Sequence, residues 1–303
     1  MAVRHGEPIS IPPKDVHYVG RQFSKAMALG EKRLHELSRM ILDEIAPKSQ
    51  IRTDFVVIGR CTNPEHEERF MSCTDFTKRL GELRTGNDSE RTTDHRPACP
   101  RCTTAGTVVA SYYQHIVKQN HDNLLDTLFA RIKSTSNLSY KIADMVFDID
   151  LMFKRDKVYN EFSQIVTDVY GIKAIITDDG RIKEFVDHLR KLHRVEVVEE
   201  KDYTGKKRKR SGFEAYKMVL RRARHLFEMQ IQSRSMFENE QKSHTASHRT
   251  YREQQMSNRR RLGREYMEVY EAISRLLSPP DSKYCEIDHI ELGFNRKGLD
   301  DEF

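Results

Sequence analysis

Apolar positions along the 303 residues recur with two different periods, and the changes of period mark the elements. Over about 15–47, Leu29, Leu34, Leu37, Ile41 and Ile45 return at steps of three to five residues, the spacing of one helix face, and Pro47 ends the run. The apolar stretch Phe55-Val56-Val57-Ile58-Gly59 reads as a short strand. From about 61 to 104 the chain turns polar. Val109, Tyr112, Tyr113, Ile116, Leu124, Leu125 and Leu128 then predict a long helix over about 107–131.

Beyond 164 the pattern becomes mixed. Gly171-Ile172-Lys173-Ala174-Ile175-Ile176-Thr177 predicts a buried strand closed by the turn Asp178-Asp179-Gly180. A helix over about 181–193 follows, then strands at 195–198, near 213–220 and near 225–233. A last long helix is expected over roughly 236–277, with Leu262, Tyr266, Val269, Tyr270, Ile273 and Leu277 as its apolar stripe and Pro279-Pro280 as its stop. Strands and helices mixed in this way predict an α+β (mixed α/β) fold with helices around one sheet. The expected division is a helical segment 1–50, a polar cysteine-bearing insertion 51–106, a main domain 107–278 and an acidic tail 279–303.

Composition narrows the class. Charged residues make up 32% and the mean hydropathy is -0.72. No window approaches the ~18 consecutive apolar residues of a membrane span, and the start MAVRHGEPIS lacks a secretory stretch. Five cysteines, an odd number, argue against a disulfide scaffold and for reduced thiols in the cytoplasm. Four of them are Cys61, Cys73, Cys99 and Cys102 in the polar insertion. Cys99-Pro-Arg-Cys102 has the two-residue gap of a zinc knuckle, so a structural Zn2+ is a candidate, with His66 or His95 able to replace a cysteine. Unpaired thiols in a polar insertion would give the same pattern.

Two segments carry candidate chemistry. Phe227-Glu228-Met229-Gln230-Ile231-Gln232 alternates strictly, so on a strand Glu228, Gln230 and Gln232 share the face away from the core. A carboxylate and two amides side by side suit a metal or a polar ligand, although the solvated face of an amphipathic strand reads the same way. Asp168, at the edge of another apolar run, fits a cap equally well. Between 206 and 224 the net charge of the +6 chain concentrates: nine Lys and Arg residues accompany one acid, Glu214. Such density suits phosphate-rich partners as well as a solvated loop. Gly212-Phe213 follows it with a bend and a ring able to stack on a base.

The order of these segments resembles the RelA/SpoT-type alarmone synthetase domain. Arg131-Ile132-Lys133 with Asn137-Leu138 and Lys141 resembles R-x-K-x-x-x-S-[IL]-x-x-K. Asp168-Val169-Tyr170-Gly171-Ile172-Lys173 matches D-[LIV]-x-[GA]-[LIV]-R. Lys209 to Ala215 matches K-x-x-G-Y-x-[SA], and Glu228 to Ser233 matches E-[LIV]-Q-[LIV]-R-[TS]. The resemblance covers about 107–255 and implies a nucleotidyltransferase-like sheet flanked by helices.

It also implies roles. Asp168 and Glu228 would hold Mg2+, and Glu228 would assist deprotonation of the attacking hydroxyl. Gln230 would support the acceptor site. Arg131, Lys133 and Lys141 would bind ATP, while Lys209, Phe213 and His244 would meet the acceptor, with His248 competing for the last role. The implied activity is transfer of the β,γ-pyrophosphate of ATP to the 3′-hydroxyl of GDP or GTP. A toxin branch of the family instead modifies the 3′ end of tRNA and is held by an antitoxin partner. A non-catalytic RNA-binding protein of the same fold is the third reading. The chain departs from the family at Lys173 and Gln232, where Arg is usual, and at Phe213, where Tyr is usual.

Overall fold

The computed structural model describes residues 9–11, 13–61, 63, 69–75, 99–103, 107–118, 123–133, 135–146, 169–205, 212–242, 263–277 and 290–292. They fall into two units: Met1–Ala28, Thr135–Val158 and Arg252–Phe303 form one, and Leu29–Ser134 with Tyr159–Tyr251 form the other.

The second unit is built on an eight-stranded sheet. Its strands are β2 (Ile51–Arg60), β3 (Arg69–Asp75), β4 (Thr107–Val117), β5 (Leu125–Ile132), β6 (Tyr170–Ile176), β7 (Glu196–Asp202), β8 (Tyr216–Arg222) and β9 (His225–Ser233). They lie in the order β3-β2-β4-β5-β6-β9-β8-β7. Neighbours run antiparallel except β6 and β9, which pair in parallel. The mixed α+β architecture is as the periodicity predicts.

One face of the sheet is the core. Tyr113, Leu128, Ile172, Ala174, Phe227, Met229, Ile231 and Leu220 point into it with at most 2% exposure. Helix α1 (Pro13–Ile45) covers this face from Leu29 onward, with Leu34, Leu37 and Ile41 fully buried. Gly30 is where it comes closest. A Cβ built there would stand 1.9 Å from the Tyr170 hydroxyl, so only glycine fits. Helix α3 (Ile182–Lys191) buries Ile182, Phe185, Val186 and Leu189, an i, i+3, i+4, i+7 stripe. The turn before it is held by Gly180 N–H donating to Asp178 Oδ1 at 2.6 Å. On the opposite face lies α4 (Arg234–Lys242), which leaves β9 directly.

In the other unit, α2 (Thr135–Val146) packs on α5 (Gly263–Leu277) around Ala143, Tyr266 and Val269. Tyr140 stacks on Tyr270 with centroids 4.0 Å apart, and the Tyr266 hydroxyl donates to Asp144 Oδ1 at 2.6 Å. The strands β1 (Ile9–Ile11) and β10 (Ile290–Leu292) pair antiparallel.

Two expectations are corrected. Where a helix over 107–131 is expected, Thr107–Val117 and Leu125–Ile132 form the antiparallel strands β4 and β5. Gly263 has φ of +64°, a left-handed conformation that α-helical residues do not adopt, so α5 begins there rather than continuing α4 as one helix over 236–277.

Candidate active site

Strand register decides which side chains share the face away from the core. Arg131 pairs with Gly171, Gly171 with Glu228, and Glu228 with Val219. One step along, Phe129 pairs with Lys173, Lys173 with Gln230, Gln230 with Lys217, and Lys217 with Lys201. Two ladder rows therefore carry Arg131, Lys173, Glu228, Gln230 and Lys217 on one surface across four adjacent strands. Gly171 lies under Arg131: a Cβ at Gly171 would meet Arg131 Cγ at 3.9 Å.

Glu228 is the centre of this surface. Its Oε1 accepts from Gln230 Nε2 at 2.6 Å and from Lys217 Nζ at 3.1 Å, and its side chain is 27% exposed. The neighbouring amide and ammonium together hold this carboxylate in one orientation. Lys217 Nζ also stands 5.8 Å from the centre of the half-buried Phe213 ring, so ring, ammonium and carboxylate form one chain of contacts.

The Gln232 end of the same face is closed by α4. Glu240, 6% exposed, accepts at Oε2 from Lys173 Nζ at 3.1 Å and from Gln232 Nε2 at 2.8 Å. Gln232 Nε2 also donates to the Glu214 carbonyl at 2.7 Å, and its side chain is fully buried. Phe237 of α4 lies 6.1 Å from Phe129, and Lys173 Nζ is 5.5 Å from the Phe237 ring centre. Desolvation of Lys173 pulls its pKa below the usual ammonium value, against the opposing pull of Glu240.

Of the expected site residues, Glu228, Gln230, Arg131 and Phe213 fall within this described face and its rim. Lys133 follows β5, its N–H donating to the Val169 carbonyl at 2.7 Å. Lys141 lies on α2 in the other unit. Asp168, Lys209 and His244, with His248, lie outside the described residues. Sequence reasoning missed Glu240 as the partner of Lys173 and Gln232. Its signal is faint: an acid eight residues after Gln232, on a helix whose pairing to the strand only the fold reveals.

Among the cysteines, Cys61, Cys99 and Cys102 converge, whereas Cys73 does not join them. Cys73 is exposed on β3 and pairs with Val56, five residues back along β2 from Cys61. At about 3.4 Å of rise per residue that separation is roughly 17 Å, so the expected four-cysteine set is corrected to three.

Among the described residues no helix is long and apolar enough to cross a membrane. No curated protein matches the chain. Among solved structures, a small alarmone synthetase 1 from Bacillus subtilis bound to its product pppGpp is 18% identical, with 52% of this chain and 76% of that chain covered at a TM-score of 0.33. A GTP pyrophosphokinase family protein from Streptococcus pneumoniae is also 18% identical, with 50% of this chain and 80% of that chain covered at a TM-score of 0.31. The family model for the region found in RelA / SpoT proteins matches residues 130–256, from the last residues of β5 past α4. The polar face that centres on Glu228 lies within the residues this family model matches.

Proposed function

We propose that this chain is an ATP-dependent pyrophosphokinase that transfers the β,γ-pyrophosphate of ATP to the 3′-hydroxyl of GDP or GTP. The observation that carries this reading is Glu228, fixed by Lys217 and Gln230 on a cationic sheet face inside the RelA/SpoT region. In the transfer, the ribose 3′-oxygen bonds to the β-phosphorus, the bond from that phosphorus to the bridging oxygen of AMP breaks, and AMP leaves. Such a reaction asks the protein mainly to position groups and neutralise charge.

The residues divide accordingly. Arg131 and Lys133 bind the ATP phosphates and base. Phe213 stacks on the acceptor base, and Lys209 and His244 meet its phosphates. Glu228 accepts the proton of the attacking hydroxyl, with Gln230 holding its orientation. Lys217, already on the Glu228 carboxylate, is a cation within reach of the transferred group.

Magnesium fits the donor chemistry, since hard cations take carboxylate and phosphate oxygens. Asp168 and Glu228 would hold it, and when bound it neutralises charge on the triphosphate. Asp168 precedes β6 by two residues, and the first register pair of β6 with β9 is Tyr170 and Phe227, next to Glu228. The ammonium of Lys217 lies on the same carboxylate and would share it with the ion.

A second reading keeps the chemistry and changes the acceptor to the 3′ end of tRNA. Its support is that Lys173 and Gln232, standing where the family usually has Arg, are both engaged by Glu240. An engaged lysine and a buried amide are not equivalent to two arginine forks for a nucleotide acceptor.

One assay separates the readings: γ-labelled ATP and magnesium are offered with GDP, GTP or deacylated tRNA. Labelled guanosine tetra- or pentaphosphate supports the first, and label on tRNA the second. Glu228→Gln should lower either product by about 10²–10⁴-fold, the usual contribution of a positioned acid or base. Absence of product with all three acceptors rejects both.

A further inference from the structure

Cys61 immediately follows β2, and Cys99 and Cys102 occupy a turn shortly before β4. The Sγ atoms of the three lie within 4.8 Å of one another, with Cys61 Sγ 3.4 Å from Cys102 Sγ. Cys61 and Cys99 are only 3% and 2% exposed, and none of the three is in a disulfide. We propose that Cys61, Cys99 and Cys102 are the three sulfur ligands of a structural zinc ion that clamps the ends of β2 and β4, and that Cys73 takes no part.

Geometry and chemistry agree on this ion. With Zn–S distances of about 2.3 Å, a tetrahedron sets its sulfurs roughly 3.8 Å apart, so the three thiols need only small shifts to close on zinc. The backbone is shaped for such a turn. Thr103 N–H donates to the Cys99 carbonyl at 2.8 Å, and Thr103 itself has φ of +56°, a left-handed conformation that a threonine adopts only where its surroundings hold it. On the other arm, Asn63 N–H approaches Cys61 Sγ at 3.4 Å, a weak donor aimed at a sulfur that carries negative charge once metal binds. Packing alone explains this cluster poorly. Cysteine can serve as a small apolar side chain, but the 61–104 segment is polar and its strand β3 leaves Met71, Ser72 and Cys73 exposed.

The position tells what the ion does. Arg60 and Thr107 form the last register pair of β2 with β4. Cys61 is the next residue beyond that pair, so metal there joins the two arms where their hydrogen-bond ladder ends. The chain between them contains β3, the edge strand of the sheet. A closed site of this kind stabilises the fold and has no part in pyrophosphate transfer. In the proposed site a nitrogen or oxygen donor outside this cluster completes the tetrahedron.

The test uses the full chain, purified under reducing conditions without chelators. Elemental analysis should find one zinc per chain, and zinc X-ray absorption should give three sulfur neighbours and one nitrogen or oxygen. Cys73→Ser should keep the metal, while Cys99→Ser and Cys102→Ser should each lose nearly all of it. Because those two variants could misfold, the wild-type chain is also stripped with a chelator and reloaded. Stripping should lower the melting temperature and speed amide exchange in β3 and the end of β2, and added zinc should restore both. Loading the stripped chain with Co2+ should give the strong thiolate-to-metal absorption of a tetrahedral sulfur-rich site. A chain that neither holds zinc as purified nor takes it up after reduction overturns the proposal. So does a four-sulfur site that Cys73→Ser abolishes.

Discussion

His115 should make this protein lose stability in mild acid through one identifiable ring. It lies on the core face of β4, 1% exposed, with Nδ1 2.9 Å from Thr53 Oγ1 on the register partner in β2. Its Nε2 is buried with no hydrogen-bond partner among the described residues. Burial, helped by the nearby His35 and Arg39 of α1, lowers its pKa from 6.5 to about 4. The folded state thus resists a proton that the unfolded chain accepts. Above pH ~6.5 neither state is protonated and the group has no effect; below it, only the unfolded state gains the proton. Stability then falls by about 1.4 kcal/mol per pH unit until the ring titrates in the folded state near pH 4, a total of about 3 kcal/mol. Urea unfolding of the wild type and of His115→Gln at pH 7.5 and pH 5.0 isolates the effect. Other groups contribute equally to both proteins, so the drop between the two pH values should be about 2 kcal/mol smaller in the variant. Equal drops in the two proteins would refute the buried, neutral histidine.

Three further outcomes follow from contacts described above. Phe213→Ala should raise the KM for the acceptor nucleotide with little change in kcat, since a stacked base is worth about 1–3 kcal/mol, and Phe213→Tyr should restore it in the same steady-state assay. Gly30→Ala, which in an ordinary helix would stabilise, should instead cost about 1–3 kcal/mol in urea because its Cβ collides with Tyr170, and Tyr170→Leu in that background should recover part of the loss. Glu240→Ala should destabilise by about 2–3 kcal/mol, less than for a fully buried pair because Lys173 keeps some exposure, and adding Lys173→Met should recover most of it. Urea midpoints read both.

The parts of this fold that sequence revealed are those whose burial follows a single period. Helix α3 shows its stripe of Ile182, Phe185, Val186 and Leu189, and β9 alternates openly from Phe227 to Ile231. Strand β4 hid its alternation because two of its inward positions are polar: Ser111 and His115 are as buried as Tyr113 and Val117. With those two discounted, Val109, Tyr112, Tyr113 and Ile116 mimic a helical stripe. The polar run 118–123 between β4 and β5 was the overlooked turn signal. At the site, the alternation fixed which face Glu228 and Gln230 share. It could not fix what stands across from them, because Lys217 and Glu240 reach that face through strand order and a helix that folds back. For the same reason the spacing of the cysteines suggested four ligands, and only the register of β3 against β2 sets Cys73 apart.

The parallel seam between β6 and β9 also bears on how the chain is made. Strands β2 to β6 leave the ribosome well before β7, β8 and β9, and until then β6 offers a bare edge with Ile172, Ala174 and Ile176 beside it. Such an edge can capture a stray strand from another chain. Because β8 pairs with β9 and not with β6, the hairpin of β7 and β8 joins the sheet only through β9, so the assembly of this sheet waits on its last third.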